Sequence, residues 1–284
     1  MPRTVLITGT SSGLGLELAL LLARRGERVY ATMRNLDKKG PLASRAAEES
    51  LELHIRQLDV QDPASIERCF GEVLAEAGRI DVLVNNAGAG FVRTTEQATE
   101  AEIQWQFDVN VMGVIRCTKA ALPSMREARS GHIVNITSVG GLVGQPFNEM
   151  YCAAKFAVEG YTESLASYIQ PIFGVKFSLI EPGGIRSEFA NSALRQFQET
   201  GGMKDDAYRP ILERYIGNAQ TRMGDEVYQT AAEVAEVVAG CIDMDDPPLR
   251  MRTSAWGESF CALKTASDPT GRKLSEAVYA QMLG

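Results

Sequence analysis

Two side chains that can exchange protons stand four positions apart in the stretch YCAAKFAVEGYTESLA, residues 151–166. Residues at that separation share one face of a helix, so Tyr151 and Lys155 would point in the same direction. A free phenol has a pKa of about 10, and a nearby ammonium stabilises the phenolate and lowers that pKa. The pair is therefore a candidate general acid–base centre, although a Y-x-x-x-K spacing taken alone is more often an ordinary surface pair.

Two other polar residues could serve the same reaction. Ser138 closes a strand-like run thirteen residues before the tyrosine, and its hydroxyl can hydrogen-bond a substrate oxygen. Asn110 lies inside a long helical segment and could hold a water molecule that returns a proton to the phenol. All of these segments would have to end near the same crevice.

A glycine-rich turn, VLITGTSSGLG, follows the first predicted strand and leads into an apolar helix. Glycine suits a tight turn and lets the backbone approach a pyrophosphate, while the helix N-terminus adds free N–H groups. The spacing is not the G-x-G-x-x-G of many dinucleotide sites, so a simple turn remains the alternative. The cofactor contacts expected in this turn are Gly9, Ser11, Ser12, Gly13, Leu14 and Gly15.

The second predicted strand ends in YATMRN, where sites that favour NAD often carry an acid for the ribose 2′-hydroxyl. Arg34 stands there instead, and no carboxylate follows before Asp37. A guanidinium suits a 2′-phosphate, so NADP(H) is the preferred cofactor and NAD(H) the second choice, unless Arg34 is an ordinary solvated side chain. Later contacts expected along the cofactor are Asp59, Val60, Asn86, Ala87 and Gly88.

Apolar, β-branched runs alternate with segments of helical period, and this alternation positions the motifs. The predicted strands cover 4–8, 28–32, 53–60, 81–85, 132–137, 175–182 and 248–253. The predicted helices cover 14–25, 63–77, 102–128, 149–173 and 230–244. The pattern predicts an α/β fold: a Rossmann-like, doubly wound parallel sheet of about seven strands with helices on both faces and ligands at the strands' carboxyl ends.

The chain is expected to form a single domain over 1–284, with a C-terminal extension at 254–284. Residues 187–228 break the alternation and scatter aromatic side chains between helical stretches. This segment is predicted to be a helical lid over the substrate, or else a helical pair packed on the body.

Composition narrows the classes of function. The net charge of −7, without a Lys/Arg cluster, disfavours nucleic acid and anionic membranes, and no run approaches the roughly 18 apolar residues of a spanning helix. Five widely spaced cysteines without a C-x-x-C pair fit a reduced, cytoplasmic protein. His54 and His132 are both expected to be structural, so neither a zinc site nor a histidine triad is predicted.

Together these motifs resemble the short-chain dehydrogenase/reductase family, in order and spacing over residues 4 to about 190. The resemblance implies a catalytic tetrad of Asn110, Ser138, Tyr151 and Lys155, with Lys155 also bonding the nicotinamide ribose. It implies homodimers or homotetramers built on the long helices. The contacts that it implies at the nicotinamide end are Pro182, Gly183, Ile185 and Ser187.

Within the family, TSSG, VYATMR and PPLR are similar to the branch of estradiol 17β-dehydrogenase type 1 and photoreceptor retinol dehydrogenase. The likeness implies an NADP(H)-dependent enzyme that interconverts a carbonyl and a secondary or primary alcohol on an apolar, steroid- or retinoid-like substrate. The estradiol enzyme grips its steroid with a lid histidine, and no histidine follows His132 here. A non-catalytic NAD(P)-binding redox sensor is the alternative. The substrate contacts expected are Ser138, Val143, Gln145, Asn148 and Tyr151.

Overall fold

The computed structural model of the chain describes residues 2–221 and 227–283. Its centre is a seven-stranded parallel sheet of order β3-β2-β1-β4-β5-β6-β9. The direction of strand addition reverses between β1 and β4, which opens a crevice at the carboxyl ends of the strands. Its strands are β1 Thr4–Thr8, β2 Arg28–Met33, β3 His54–Gln57, β4 Val82–Asn85, β5 Gly131–Ile136, β6 Val175–Glu181 and β9 Arg250–Arg252, and a separate parallel pair is formed by β7 Gly184–Arg186 and β8 Tyr228–Thr230.

The central strands are continuous apolar runs because helices cover both faces of the sheet. All five residues of β1 are buried. One core lies between the sheet and the helices α1 and α9, and a second core lies between the sheet and α3, α5 and α6. The helices are α1 Gly13–Arg24, α2 Gly40–Glu48, α3 Pro63–Ala77, α4 Glu100–Phe107, α5 Gly113–Glu127, α6 Glu149–Phe173, α7 Glu188–Glu199, α8 Arg209–Thr221, α9 Ala231–Asp243, α10 Ala255–Thr265 and α11 Arg272–Met282.

The predicted fold class is confirmed, and most predicted elements agree with the structure to within a residue or two. The strand predicted over 53–60 is shorter, because the chain turns after Gln57 and Asp59 accepts the backbone N–H of Asp62. The helix predicted over 102–128 consists of α4 and α5 joined by one π-helical turn, Asp108–Met112. Such turns place one extra residue in a helix and often occur at functional sites.

The segment predicted as a lid contains α7 and α8, and its residues 222–226 lie outside the described part of the chain. Phe197 of α7 and Leu212 of α8 are buried against Phe147, which precedes α6. The segment is therefore a helical pair packed on the body beside the crevice, and its role as a lid over the substrate stays a prediction. Among the described residues, no helix is both long enough and apolar enough to cross a bilayer.

Candidate active site

A cleft of about 950 Å³ lies at the carboxyl edge of the sheet, between the strand ends and the helical pair. Its walls come from the loops after β1, β2, β4, β5 and β6 and from α7, α8 and α10. The topology alone explains this position, since all seven parallel strands end at the same edge. Predicted residues that line the cleft are Gly9, Ser11, Ser12, Gly13, Leu14, Arg34, Asp59, Val60, Asn86, Ala87, Gly88, Ser138, Val143, Gln145, Asn148, Tyr151, Lys155, Pro182, Gly183, Ile185 and Ser187.

The glycine turn holds a conformation that other residues adopt only with strain. Gly9 and Gly13 have φ values of +74° and +58°, and a Cβ on Gly9 would stand 2.8 Å from the Cα of Ala87. The side-chain amide of Asn86 locks the turn by donating to the carbonyl oxygens of Thr8 and Gly9, at 2.9 Å each. The turn and the N-terminus of α1 therefore form a backbone cradle. Its N–H groups can bind the oxygens of an anionic group such as a pyrophosphate.

Gly15 has a different place from the one predicted, because it is buried and does not line the cleft. A Cβ there would collide with the carbonyl oxygen of Gly9 and stand 2.5 Å from the side-chain nitrogen of Asn86. This glycine lets α1 begin directly behind the turn.

Three of the four predicted catalytic residues meet in the cleft. Lys155 is buried and donates from Nζ to the carbonyl oxygen of Ile136 at 2.9 Å, with Nζ 5.8 Å from the centroid of the Tyr151 ring. Ser138 caps a short 3₁₀ turn and accepts the backbone N–H of Gly140 at 3.0 Å. The hydroxyl of Ser138 also hydrogen-bonds the Tyr151 side chain.

Asn110 lies behind the cleft rather than on its wall. It is fully buried in the π-helical turn, where its amide oxygen accepts the N–H of Ala89 at 3.1 Å. Its amide nitrogen donates to the carbonyl oxygens of Ala89 and Gln106, at 3.0 and 3.1 Å. The contacts fix the loop after β4, and a role for Asn110 in proton return stays a prediction.

Burial dominates the acid–base behaviour of the pair. It raises the pKa of Tyr151 to about 12, against the opposing effect of the hydrogen bond with Ser138. It lowers the pKa of Lys155 to about 8, against the favourable charge of Glu159. The net effect on the phenol is the opposite of the lowering expected from the neighbouring ammonium, because removing the hydroxyl from water disfavours the phenolate more strongly. At pH 7 Tyr151 is a neutral proton donor.

The end of the cleft beside β2 carries two cations. Arg34 follows β2 directly, and Lys38 follows one turn later; both are exposed and line the cleft. Lys38 was not predicted as a contact, although its place four residues after Arg34 was a signal for it. Ser12 is exposed at the same opening.

The opposite end of the cleft is largely aromatic, and most of this wall was not predicted. Phe189 of α7 packs edge-to-face on Tyr151, with ring centroids 5.9 Å apart. Trp256 and Phe260 of α10 stack at 4.8 Å and contribute a side of the cleft from the C-terminal extension. The polar residues Asn148 and Tyr215 also line this end, and their side chains hydrogen-bond at 3.2 Å.

Comparison with known proteins gives the family. Residues 3–198 match the family profile described as short chain dehydrogenase. The chain belongs to this family. Retinol dehydrogenase 8 of Bos taurus is 44% identical over 95% of this chain and 87% of its own length. The 17-beta-hydroxysteroid dehydrogenase type 1 of Homo sapiens is 39% identical over 100% of this chain and 87% of its own length.

Solved structures of short chain dehydrogenases share the fold. One from Streptomyces avermitilis superposes with a TM-score of 0.78 and 30% identity, over 100% of this chain and 98% of that one. An actinorhodin polyketide ketoreductase with NADPH gives a TM-score of 0.75 and 28% identity, over 89% and 96% of the two chains.

As a short chain dehydrogenase, this protein is an NAD(P)-binding oxidoreductase that acts on CH–OH and C=O groups. The family match ends at residue 198, so α8 and the stacked pair of α10 lie beyond it. The match therefore covers the glycine turn and the predicted catalytic residues, while much of the aromatic wall belongs to the C-terminal third of the chain.

Proposed function

We propose that this enzyme uses NADP(H) to interconvert a carbonyl and an alcohol on an apolar substrate, with Tyr151 as the general acid–base. The observation that carries the proposal is the position of the Tyr151 ring, which lines the same cleft as the glycine cradle and packs on Phe189 of the aromatic wall. When bound, the nicotinamide exchanges hydride with the carbinol carbon.

The chain's own residues divide the remaining tasks. In reduction the neutral Tyr151 hydroxyl gives its proton to the developing alkoxide and becomes a phenolate, and in oxidation the Tyr151 phenolate receives the proton of the alcohol. Ser138, held by Gly140 and beside Tyr151, orients the same substrate oxygen. Lys155 is fixed on the Ile136 carbonyl, beneath the phenol, where it supplies positive charge and a donor for a ribose hydroxyl.

The residues present fit a dinucleotide with a 2′-phosphate. The cradle formed by Gly9 and Gly13 would hold the pyrophosphate at the start of α1. Arg34 and Lys38 would pair with the 2′-phosphate, and the Ser12 hydroxyl would add a hydrogen bond. Two cations at one opening favour a ligand with an additional dianion, which supports NADP(H) over NAD(H).

The aromatic wall supports a rigid or extended apolar substrate. Phe189, Trp256 and Phe260 offer flat surfaces on which a ring system or polyene can pack. The relatives named for retinol and for a 17-beta-hydroxysteroid point to the same chemical class, so a retinoid- or steroid-like alcohol or ketone is the proposed substrate.

Tyr151→Phe tests the catalytic assignment. Dissociation constants for NADPH should be unchanged, while NADPH oxidation with a panel of retinoid and steroid carbonyls should fall by at least about 10²-fold, the scale of general acid catalysis. Tyr161→Phe, on the same helix and outside the cleft, is the matched control and should retain its rate. Undiminished turnover in Tyr151→Phe would defeat the assignment. NADPH binding by the unmodified protein without oxidation by any carbonyl would favour the sensor.

Arg34→Ala and Lys38→Ala test the choice of cofactor. Each should weaken NADPH binding by roughly tenfold, the scale of a charge-assisted hydrogen bond, and leave NADH binding within about twofold. Lys39→Ala removes a neighbouring exposed charge that does not line the cleft and serves as the control. Equal affinity of the unmodified protein for NADH and NADPH would show that this opening does not select a phosphate.

The cytoplasmic location and the homodimer or homotetramer stay predictions. Cell fractionation tests the first, and light scattering on the purified chain tests the second. Among the described residues, a groove lies between α5 and α6, the long helices that are predicted to pair in a homo-oligomer. Apolar side chains such as Ile115 and Leu122 line this groove.

A further inference from the structure

A buried carboxyl pair lies beneath the catalytic residues. Glu159 of α6 is 4% exposed, and Glu181, the last residue of β6, is fully buried. Arg250 Nε lies 3.4 Å from Glu159 Oε2 and 3.8 Å from Glu181 Oε1, so the two carboxyl groups are neighbours. Burial raises the pKa of both groups, and two neighbouring carboxyl groups resist ionising together.

Cations from the last strand of the sheet hold this pair. Arg250 of β9 places Nε 3.4 Å from Glu159 Oε2 and also pairs with Glu163 of α6. Arg252, whose side chain is 2% exposed, places Nη1 3.2 Å from Glu181 Oε2. Arg252 also pairs with Glu258 of α10 at 2.9 Å, so the C-terminal extension is tied to the same cluster.

The pair touches both segments that carry the catalytic side chains. Glu159 follows Lys155 by one helical turn on α6, on the same face. Glu159 also packs under the loop after β5, where a Cβ on Gly141 would stand 3.1 Å from Glu159 Cγ. Glu181 directly precedes Pro182, whose carbonyl oxygen accepts the N–H of Val139 at 2.9 Å.

We propose that Glu159 is a positioning residue that keeps Lys155 protonated in its buried site, with Glu181 as the protonated member of the pair. The inference rests on the proposed role of Lys155 in the reaction. A buried ammonium needs a compensating negative charge, and Glu159 supplies it from one turn away. Without that charge the lysine would become neutral near physiological pH, and the positive field beneath Tyr151 would be lost.

The electrostatics agree with this geometry. The charge of Glu159 raises the pKa of Lys155 against the lowering by burial. Burial and the neighbouring Glu159 raise the pKa of Glu181 to about 9, so Glu181 is the protonated partner at pH 7.

The groups that face Glu159 come from four elements. Burial raises the pKa of Glu159, and Thr137 after β5 and Arg250 of β9 oppose that rise. Glu181 of β6 has its pKa raised to about 9, and Cys261 of α10 is a neutral thiol with its pKa raised to about 11. The guanidinium of Arg250, which donates from Nε to Glu159 Oε2, is the contact that favours an ionised Glu159 next to Lys155.

The test is the titration of the Lys155 ammonium itself, followed by NMR of lysine labelled at Cε in the full-length protein. Lys155→Arg assigns the signal. In Glu159→Gln the Lys155 midpoint should fall by about one pH unit or more relative to the unmodified protein, the shift expected for losing one close opposite charge. Glu163→Gln is the matched control, since Glu163 lies on the same helix and pairs with the same Arg250. In this variant the Lys155 midpoint should stay within about 0.3 pH unit of the value in the unmodified protein.

Two further variants make the result independent of folding defects and of turnover. Glu159→Met removes the same charge with an apolar side chain and should shift the Lys155 midpoint as Glu159→Gln does. Glu181→Gln mimics the protonated carboxyl and should leave the midpoint near its original value. An unchanged midpoint in the folded Glu159 variants, or an equal fall in Glu163→Gln, would overturn the inference. Because the signal needs neither cofactor nor substrate, a failure of the proposed reaction would leave this measurement intact.

The pH profile of kcat/KM distinguishes an effect of the Glu159 charge from a purely structural role of that side chain. The alkaline limb of the pH profile of kcat/KM should move to lower pH in Glu159→Gln by the same amount as the NMR midpoint. A purely structural role would lower kcat/KM at every pH without moving the limb, and that outcome would also count against the proposal.

Discussion

Lys155→Met should make the protein more stable at neutral pH while it abolishes activity. Lys155 is 6% exposed, and burial lowers its pKa from 10.5 to about 8. At about 1.4 kcal/mol per pKa unit, keeping this lysine charged in the fold costs about 3 kcal/mol relative to the unfolded chain. Methionine removes that cost, but it leaves the Ile136 carbonyl oxygen without its Nζ donor, at about 1 kcal/mol. The net gain expected at pH 7 is about 2 kcal/mol.

The pH dependence identifies the cause of this gain. Between pH 8 and 10.5 the unfolded chain retains the Lys155 proton that the folded chain has released, so the stability of the unmodified protein rises with pH over this window. The cost of the buried charge is fully present below pH 8. The advantage of Lys155→Met should therefore shrink by about 2 kcal/mol between pH 7 and pH 10.

Urea unfolding at fixed protein concentration, at pH 7, 8, 9 and 10, measures this difference. Lys39→Met is the control, because Lys39 is exposed and its replacement should give a difference that does not change with pH. If Lys155→Met is destabilising at pH 7, or if its free-energy difference is flat from pH 7 to 10, burial does not set the ionisation of Lys155 and the argument fails.

Other perturbations test other parts of the structure. Gly15→Ala should lower the free energy of unfolding, measured in urea, by about 2 kcal/mol or more, because the new Cβ meets the Gly9 carbonyl oxygen. Gly144→Ala is the control, since a Cβ there has open space and should be neutral. Equal unfolding midpoints of the two variants would contradict this packing. Arg93→Met should raise KM for an apolar carbonyl severalfold and leave the NADPH Kd unchanged, because buried Arg93 donates to the Thr200 carbonyl at 2.6 Å and steadies the end of α7; an unaltered KM would remove this role. All five cysteines are buried, so a thiol reagent should label about none in the native protein and five in denaturant, and fast native labelling would refute that burial.

Local pattern was sufficient for the elements and for the motif residues. Runs of β-branched residues predict strands such as Thr4–Thr8. Helices α3 and α6 begin and end at the residues that helical periodicity predicted. His132 was expected to be structural, and it is buried against Ser178 at 3.0 Å with its pKa lowered to about 3 by burial. Parallel strands then bring the loops that follow them to one edge, so the meeting of Ser138, Tyr151 and Lys155 followed from topology alone.

The sequence pattern could not predict contacts between segments that are distant along the chain. Nothing in the sequence around Trp256 indicates that it packs beside Gly183, because the approach of α10 to the cleft depends on where β9 joins the sheet. Asn110 lies in a helical segment, as the sequence predicts. The π-helical turn, however, directs its side-chain amide to the backbone of Ala89.

The sequence by itself determined the parallel sheet, the glycine-rich turn and the residues of the proposed acid–base pair, because each depends on residue types at short separation. Only the tertiary structure decided the ionisation of that pair. Burial raises the pKa of Tyr151 and lowers that of Lys155, and Glu159 opposes the second effect. Solvation is a property of everything packed around a group, so the sign of such a shift is fixed when the chain closes over it.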